Sequence, residues 1–257
     1  MGNIGGFLKN MTIPLVVLIV AVIMMTVEAR QSGRKWPRVR GWWARALLFN
    51  AVQVGAVWIS GVAWNGWMLR HRPWNTDSLG VTGGAVAGYV AITFFFYWWH
   101  RWRHQSNFLW RWFHQVHHSP QRIEVITSFY KHPFEILADS AISSAILYLV
   151  VGVGAGAAAG AVLLSGLAEL AYHCNVRTPY WLGYVFQRPE SHCVHHQKGV
   201  HSFNYSDLPL WDMLFGTFRN PRQWDGECGF GGEQELRLGE MLLGKDVNAP
   251  IADGGRA

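Results

Sequence analysis

The chain has 257 residues, enough for one large domain or two small ones, and half of them are hydrophobic while only 15% are charged. With 15 tryptophans and several uncharged runs, that balance excludes an ordinary soluble domain and implies an all-α integral membrane protein with aromatic belts. The net charge of +6 does not imply nucleic acid as a partner: the basic residues lie beside apolar runs, where positive-inside topology accounts for them.

Residues 11–27 form the first apolar run. Only Lys9 precedes it and no small-residue cleavage site follows, so it reads as an uncleaved anchor rather than a signal peptide. Arg30, Arg34, Lys35, Arg38, Arg40 and Arg45 come next, which places this segment in the cytoplasm and the short N-terminus outside. Residues 46–69 are uncharged and, at about 1.5 Å per residue, long enough to span. A short outer loop over 70–78 leads to a third run, 79–99, that ends in Phe94-Phe95-Phe96-Tyr97-Trp98-Trp99.

His100 follows directly, so the first histidine cluster emerges on the cytoplasmic side. It holds His100 and His104, then His114, His117 and His118. Residues 119–134 read as a connection along the cytoplasmic surface. From Ile136 to Tyr172 only Asp139 and Glu169 are charged, a stretch nearly twice the bilayer core in length at about 1.5 Å per residue. Glycines at 152, 154, 156 and 160 sit near its middle, so a hairpin of two helices is expected, returning His173 to the cytoplasm. That makes about four to five transmembrane or membrane-embedded helices in all. Residues 174–220 read as a cytoplasmic cap of short helices carrying the second cluster, His192, His195 and His196. The expected organisation is one membrane-embedded domain over 1–220 and a polar C-terminal tail over 221–257, flexible at its end, with a short helix near 234–243.

With His173 counted in the second, nine of the twelve histidines fall in these two clusters, and the pattern H-x-V-H-H occurs in both. On a helix, residues three and four apart share a face. His100 can converge with His104, His114 with His117 or His118, and His192 with His195 or His196. Neutral imidazole suits iron, zinc, copper and nickel, and so many nitrogen ligands imply two metals. Paired redox metals suit oxygen activation, whereas paired zinc ions serve hydrolysis. The cysteines Cys174, Cys193 and Cys228 include no C-x-x-C and read as small packing residues in a reducing compartment.

The order H-x-x-x-H, H-x-x-H-H, isolated His, H-x-x-H-H on a membrane scaffold resembles the fatty acid hydroxylase superfamily, also called the sterol desaturase family. His173-Cys-Asn175 is similar to that family's His-x-Asn step, and Asn204-Tyr205-Ser206 through Leu210-Trp211-Asp212-Met213-Leu-Phe215-Gly216-Thr217 to its closing motif. Ser206 stands where Gly is usual and Met213 where Arg is common. The resemblance covers about residues 80–220. It implies a non-haem di-iron oxygenase, with zinc as a substituting metal, that uses O2 and external electrons to hydroxylate or desaturate a C–H bond of a lipid such as a fatty acyl chain or sterol-like molecule. On that reading His100, His104, His114, His117, His118, His173, His192, His195 and His196 are the ligands and His132 a candidate additional one. Asn175 and Asp212 are candidate partners for imidazole N–H groups.

The chain has no haem-binding domain, flavin motif or G-x-G-x-x-G, so a separate electron donor is expected, a ferredoxin or a b-type cytochrome with its reductase. Arg101, Arg103 and Arg111 are the candidate docking residues. Membrane lipids surround the protein, a bacterial inner membrane is the expected location, and an apolar channel is expected to lead to the metals. Two rival readings are a zinc-dependent membrane hydrolase and a non-enzymatic b-type cytochrome. The hydrolase would want Glu inside the motif, where Arg101 stands, and the cytochrome would want isolated histidines facing each other within the spans.

Overall fold

The computed structural model describes residues 4–248, and apart from a single bridge between Gln197 and Cys228 all regular structure among them is helical. A long helix α1 (Ile4–Arg30) is followed by α2 (Trp42–Arg70), α3 (Asp77–Gln105), the short α4 (107–118), α5 (Pro133–Val151) and α6 (Ala155–His173). The cap carries α7 (Pro189–His195), α8 (Pro209–Leu214) and α9 (Leu238–Leu242). Among the described residues α2, α3, α5 and α6 are long and apolar enough to cross a membrane. Their outward faces are apolar: Leu47, Val54, Trp58 and Val62 on α2 and Val81 and Val86 on α3 lie exposed. In lipid such a surface is the favourable one.

Bundle contacts rest on small residues, as close approach of helices in lipid requires. A Cβ at Gly84 of α3 would stand 2.8 Å from Cβ of Ala157 on α6, and one at Gly160 of α6 would stand 2.8 Å from Cβ of Ala85. The expected hairpin between α5 and α6 forms. Gly152 closes α5 with φ of 76°, where its N–H donates to the Leu147 carbonyl at 3.0 Å. A side chain in that left-handed conformation would be strained, and here it would also meet Trp74.

All the site-bearing ends lie together at the other end of the bundle. The Gly33 N–H donates to the Asn175 carbonyl at 2.8 Å, tying the loop after α1 to the end of α6. Trp42 Nε1 donates to Glu124 at 3.1 Å and Asn50 Nδ2 to the Ile126 carbonyl at 2.9 Å, tying α2 to the 119–132 connection.

Two expectations are corrected here. The connection is no surface loop: Ile123, Val125, Ile126, Thr127 and Ser128 are buried. Its polar backbone is satisfied from inside, with the Val125 N–H donating to Glu28 at 3.1 Å and a reciprocal cap between Glu124 and Thr127. The segment after 220 is not a loose tail as far as 248. Phe230, Met241 and Val247 complete a core with Trp42, Phe49, Val116 and Tyr130. Glu235, with no exposure, pairs with Arg45 at 2.8 Å. Apolar side chains scattered through a polar stretch, with Leu238 and Leu242 packed against the same core, fold it back. The tail's end, 249–257, lies outside the described residues.

Candidate metal centre

His100 and His104 sit one turn apart at the end of α3. Ser106, whose Oγ accepts from the Leu109 N–H at 3.4 Å, then breaks the helix and starts α4. Residues Trp110–His114 form a wide π-helical turn, and His114 leaves helical geometry with φ of −142°. Such turns re-aim the side chains that follow. His173 ends α6, and α7 carries the second cluster.

Together these elements form two histidine groups. His100, His104, His114, His118 and His195 make one and His117, His173, His192 and His196 the other; within each group one ring nitrogen per residue lies within 4.8 Å of all the others. The repeated H-x-x-H-H therefore works reciprocally. Its first copy gives residues four apart, His114 and His118, to the first group and lends His117 to the second. The second copy gives His192 and His196 to the second group and lends His195 to the first. Each motif therefore contributes to both groups, two rings to one and one to the other.

The outer edges of the rings are fixed. His100 Nδ1–H donates to the Tyr205 carbonyl at 2.7 Å, His195 to that of Phe203 at 2.7 Å, His173 to that of Glu169 at 2.8 Å and His117 to that of Tyr130 at 3.4 Å. His114 Nδ1 lies 2.8 Å from a Glu135 carboxylate oxygen and His118 Nδ1 3.1 Å from His201. A donor at Nδ1 leaves a lone pair at Nε2, directed inward. Inside, Nε2 of His100, His104 and His195 and both nitrogens of His196 have no hydrogen-bond partner although buried. The Nε2 atoms of His114 and His118 face each other at 3.1 Å, and those of His173 and His192 at 3.0 Å. Metal–nitrogen bonds of about 2.1 Å at right angles put donor atoms about 3 Å apart. Buried lone pairs crowded together without donors are costly unless a cation joins them, so each group fits a metal ion.

Protonation follows the same logic. Burial holds His114, His117, His118, His192 and His196 well below the ordinary imidazole range and takes His195 down to about 3. Neighbouring imidazoles and the Arg103 charge push the same way. Neutral rings are the form that binds metal.

Three sequence candidates lie elsewhere. His132 caps α5: its Nδ1 accepts from the Phe134 N–H at 3.0 Å, its Nε2 donates to the Leu242 carbonyl at 3.3 Å, and it belongs to neither group. Asn175 touches no imidazole; it accepts from the Arg34 N–H at 3.0 Å and donates to the Arg34 carbonyl at 2.9 Å. Asp212 acts one step away. It accepts from the N–H groups of Tyr205 at 2.8 Å and Ser206 at 3.0 Å and from the Thr217 hydroxyl at 2.7 Å, clamping the segment whose carbonyl holds His100. Ser206 uses the hydroxyl that Gly would lack to reach the Thr93 carbonyl of α3 at 3.1 Å. Among the docking candidates, Arg103 is buried and paired with Glu135, and with Asp139 at 3.5 Å.

Two residues were not anticipated. Glu135 supports His114 and pairs with Arg103 from the first turn of a spanning helix, and a carboxylate there is a signal in itself. His201 has φ of 43° and supports His118; only its place between the second cluster and Asn204-Tyr205 hinted at this.

A cavity of about 240 Å³ borders both groups, touching His100 and His114 of the first and His117 and His192 of the second. Its wall is apolar in larger part, with Val57, Ile92, Phe96, Phe129, Ile136 and Val162, but it also carries a polar set that was not expected: Glu135, Asp139, Glu169, Lys131 and Asp207, with Ser140, Ser143 and Ser144 from α5. Several of the polar groups satisfy one another across the bundle, as where Ser144 donates to Asn65 at 2.5 Å, so helices that read as apolar overall enclose a mixed interior with buried polar groups.

The fatty acid hydroxylase profile matches residues 85–217, a span that includes all nine grouped histidines. The chain belongs to that family. An ornithine lipid hydroxylase from Rhizobium tropici is 37% identical over 145 residues, 53% of this chain and 42% of the relative. A sphinganine C4-monooxygenase from Arabidopsis thaliana is 26% identical over 137 residues, 52% of this chain and 53% of the relative. An alkylglycerol monooxygenase from Homo sapiens is 26% identical over 163 residues, 60% of this chain and 34% of the relative. The chain thus spans about half or less of the length of these relatives. No solved structure matches it.

Proposed function

We propose that this chain is a membrane-bound non-haem di-iron oxygenase that hydroxylates a C–H bond of a lipid. The observation that carries the reading is the pair of interleaved histidine groups with one cavity touching both. The nine rings would hold two irons, which when bound supply O2 activation and hydrogen abstraction from an unactivated carbon. The overall change is C–H plus O2, two electrons and two protons giving C–OH and water; removal of a second hydrogen in place of hydroxylation would give an alkene. The chain's own part is to hold the rings neutral, to fix their direction through the carbonyls of Phe203 and Tyr205, and to position a lipid carbon in the cavity. A lipid substrate accords with the relatives, whose names specify an ornithine lipid, sphinganine and alkylglycerol. Hydrolysis by zinc would call for a carboxylate inside the H-x-x-x-H pattern, and Arg101 in that place donates to the Tyr97 hydroxyl at 3.1 Å instead.

In this proposal the histidine end faces the cytoplasm at a bacterial inner membrane, an orientation that the basic loop after α1 supports. Electrons come from a separate carrier, a ferredoxin or a b-type cytochrome, docking near Arg101 and Arg111. Neutralising both arginines is expected to slow turnover and flatten its salt dependence; unchanged kinetics would remove this docking site. The reading as a whole is tested by metal analysis of detergent-purified protein from iron-supplemented cells. About two irons per chain, no Soret band and reductant-dependent O2 uptake are expected. Protein that takes up no metal, or whose His117→Ala, His195→Ala variant matches the parent in metal and O2 uptake, would overturn it.

A further inference from the structure

We propose that Asp207, on the wall of the cavity that borders both histidine groups, binds a protonated amine in the head group of the lipid substrate. This rests on the lipid-oxygenase reading and narrows it to one chemical class. Four carboxylates line the cavity, Glu135, Asp139, Glu169 and Asp207, against two cations, Arg103 and Lys131. Arg103 pairs with Glu135 and Asp139 and Lys131 with Glu169, so among the described residues Asp207 alone of the four makes no ion pair, and the Lys131 charge that reaches it is already paired with Glu169. The neutral side chains of Tyr172 and Ser165 lie beside its carboxyl.

Hydrogen-bond accounting gives an independent indication. Apart from the imidazoles, the cavity-lining side chains with an unpartnered buried atom are Gln53 at Oε1, Glu135 at Oε2 and Arg103 at Nε. Glu135 has no exposure at all, yet one of its oxygens lacks a donor. Two acceptors against one donor, with a carboxylate lacking a counter-ion, call for a ligand rich in N–H, and an ammonium brings three donors and a positive charge. Burial, with the Glu169 charge next, pushes Asp207 up to about 7, and a cation beside it would favour its ionised form. A phosphate or carboxylate head group would meet the same acids and be repelled.

Size decides which part of a lipid enters. A cavity of about 150 Å³ admits a benzene ring, so 240 Å³ holds roughly ten heavy atoms. That is a head group with a few carbons, while the chains stay among the helices or in the bilayer. The position is close to the histidine groups. Tyr172 packs on His192 with ring centres 4.5 Å apart, and Asp207 follows Tyr205 and Ser206, in the segment whose Tyr205 carbonyl holds His100. An amine on Asp207 therefore brings carbons a few bonds away from it, rather than far along an acyl chain, to the reacting centre.

The test is isothermal titration of the metal-loaded full chain in phosphatidylcholine nanodiscs with n-octylamine and with n-octanol, using empty nanodiscs as the blank. The amine is expected to bind at least about tenfold more tightly than the alcohol, since a charged hydrogen bond is worth a decade of affinity or more. Asp207→Asn should lose that preference while alcohol affinity and iron content stay unchanged. Equal affinity of the parent chain for amine and alcohol would overturn the proposal, and needs no variant to fold. So would an Asp207→Asn chain of full iron content that keeps the preference. Because binding is read separately from O2 uptake, amine selectivity without oxygenation would retain this site and remove the oxygenase reading. Oxygenation without amine selectivity would do the reverse.

Discussion

At the scale of single residues, histidines of one sequence type divide into different roles by what their nitrogens meet. His195 is held at Nδ1 by the Phe203 carbonyl and leaves Nε2 unpartnered inside the first group. His132 has both nitrogens used, one capping α5 and one on the Leu242 carbonyl, and so has nothing left for a metal. His195→Ala should therefore lower the iron content of the purified chain, whereas His132→Ala should keep the metal. The latter should instead lower stability by about 1 kcal/mol, the usual cost of a lost helix cap, seen as a drop in Tm. Iron loss in His132→Ala with unchanged Tm would reverse the assignment. The buried acid that supports His114 makes a sharper case. Glu135→Ala strips Arg103 of its nearer counter-ion in a buried place, which costs about 3 kcal/mol when a buried pair is broken. Reduced yield and Tm are expected, and a chain as stable as the parent would show that Asp139 compensates fully.

At the scale of elements, the contact between α3 and α6 decides where His100, His104 and His173 meet. That contact depends on Gly84, Gly88 and Gly160. A Cβ at Gly88 would stand 2.7 Å from Cδ2 of Leu147 and 3.1 Å from Cβ of Ala161. Gly88→Leu should force the helices apart, at about 1–3 kcal/mol for overpacking, and lower metal content although no ligand is changed. Iron retention at the parent level, measured beside Tm, would show that α3 and α6 are not what sets the site. The spans, the hairpin and eight of the nine grouped histidines were legible in the sequence because each has a local signature: uncharged length, clustered glycines, or three- and four-residue spacing; the isolated His173 was legible only from the order of motifs in the family. The exchange of His117 and His195 between groups was not, since it depends on the π-helical turn at Trp110–His114 and on how α4 and α7 face each other. Nor were the polar groups of the cavity wall legible, because Ser140, Ser144 and Asp139 are thinly spread in a helix whose average is apolar. The buried 119–132 connection reads as polar for a similar reason: its charges, Glu124 among them, are turned to structural hydrogen bonds.

At the scale of the whole molecule, the protein concentrates neutral imidazoles in a place where protons are excluded, and pH becomes a lever on fold and metal together. Six of the grouped rings lie outside the spanning helices, and burial holds each below the ordinary value of 6.5, His195 down to about 3. Between those values the unfolded chain binds protons that the folded chain does not, so stability is full above 6.5 and falls as the pH drops through the window. Three buried carboxylates outside the spanning helices act the other way. Asp207 at about 7 and Asp212 and Glu28 at about 6 take up protons in the folded state before the unfolded one, which favours the fold as the pH falls toward the ordinary carboxylate range. Six rings against three carboxylates leave the histidines dominant. Bound metal adds to the same trend, because protons compete for the same lone pairs. The Tm of the purified chain should therefore be level above neutrality and fall steadily on acidification below about 6.5, with iron released over the same range. Metal retention and Tm followed side by side from pH 8 to pH 4 check this. A Tm that held or rose throughout would mean that the carboxylates outweigh the imidazoles, and that the rings are not held neutral by the fold.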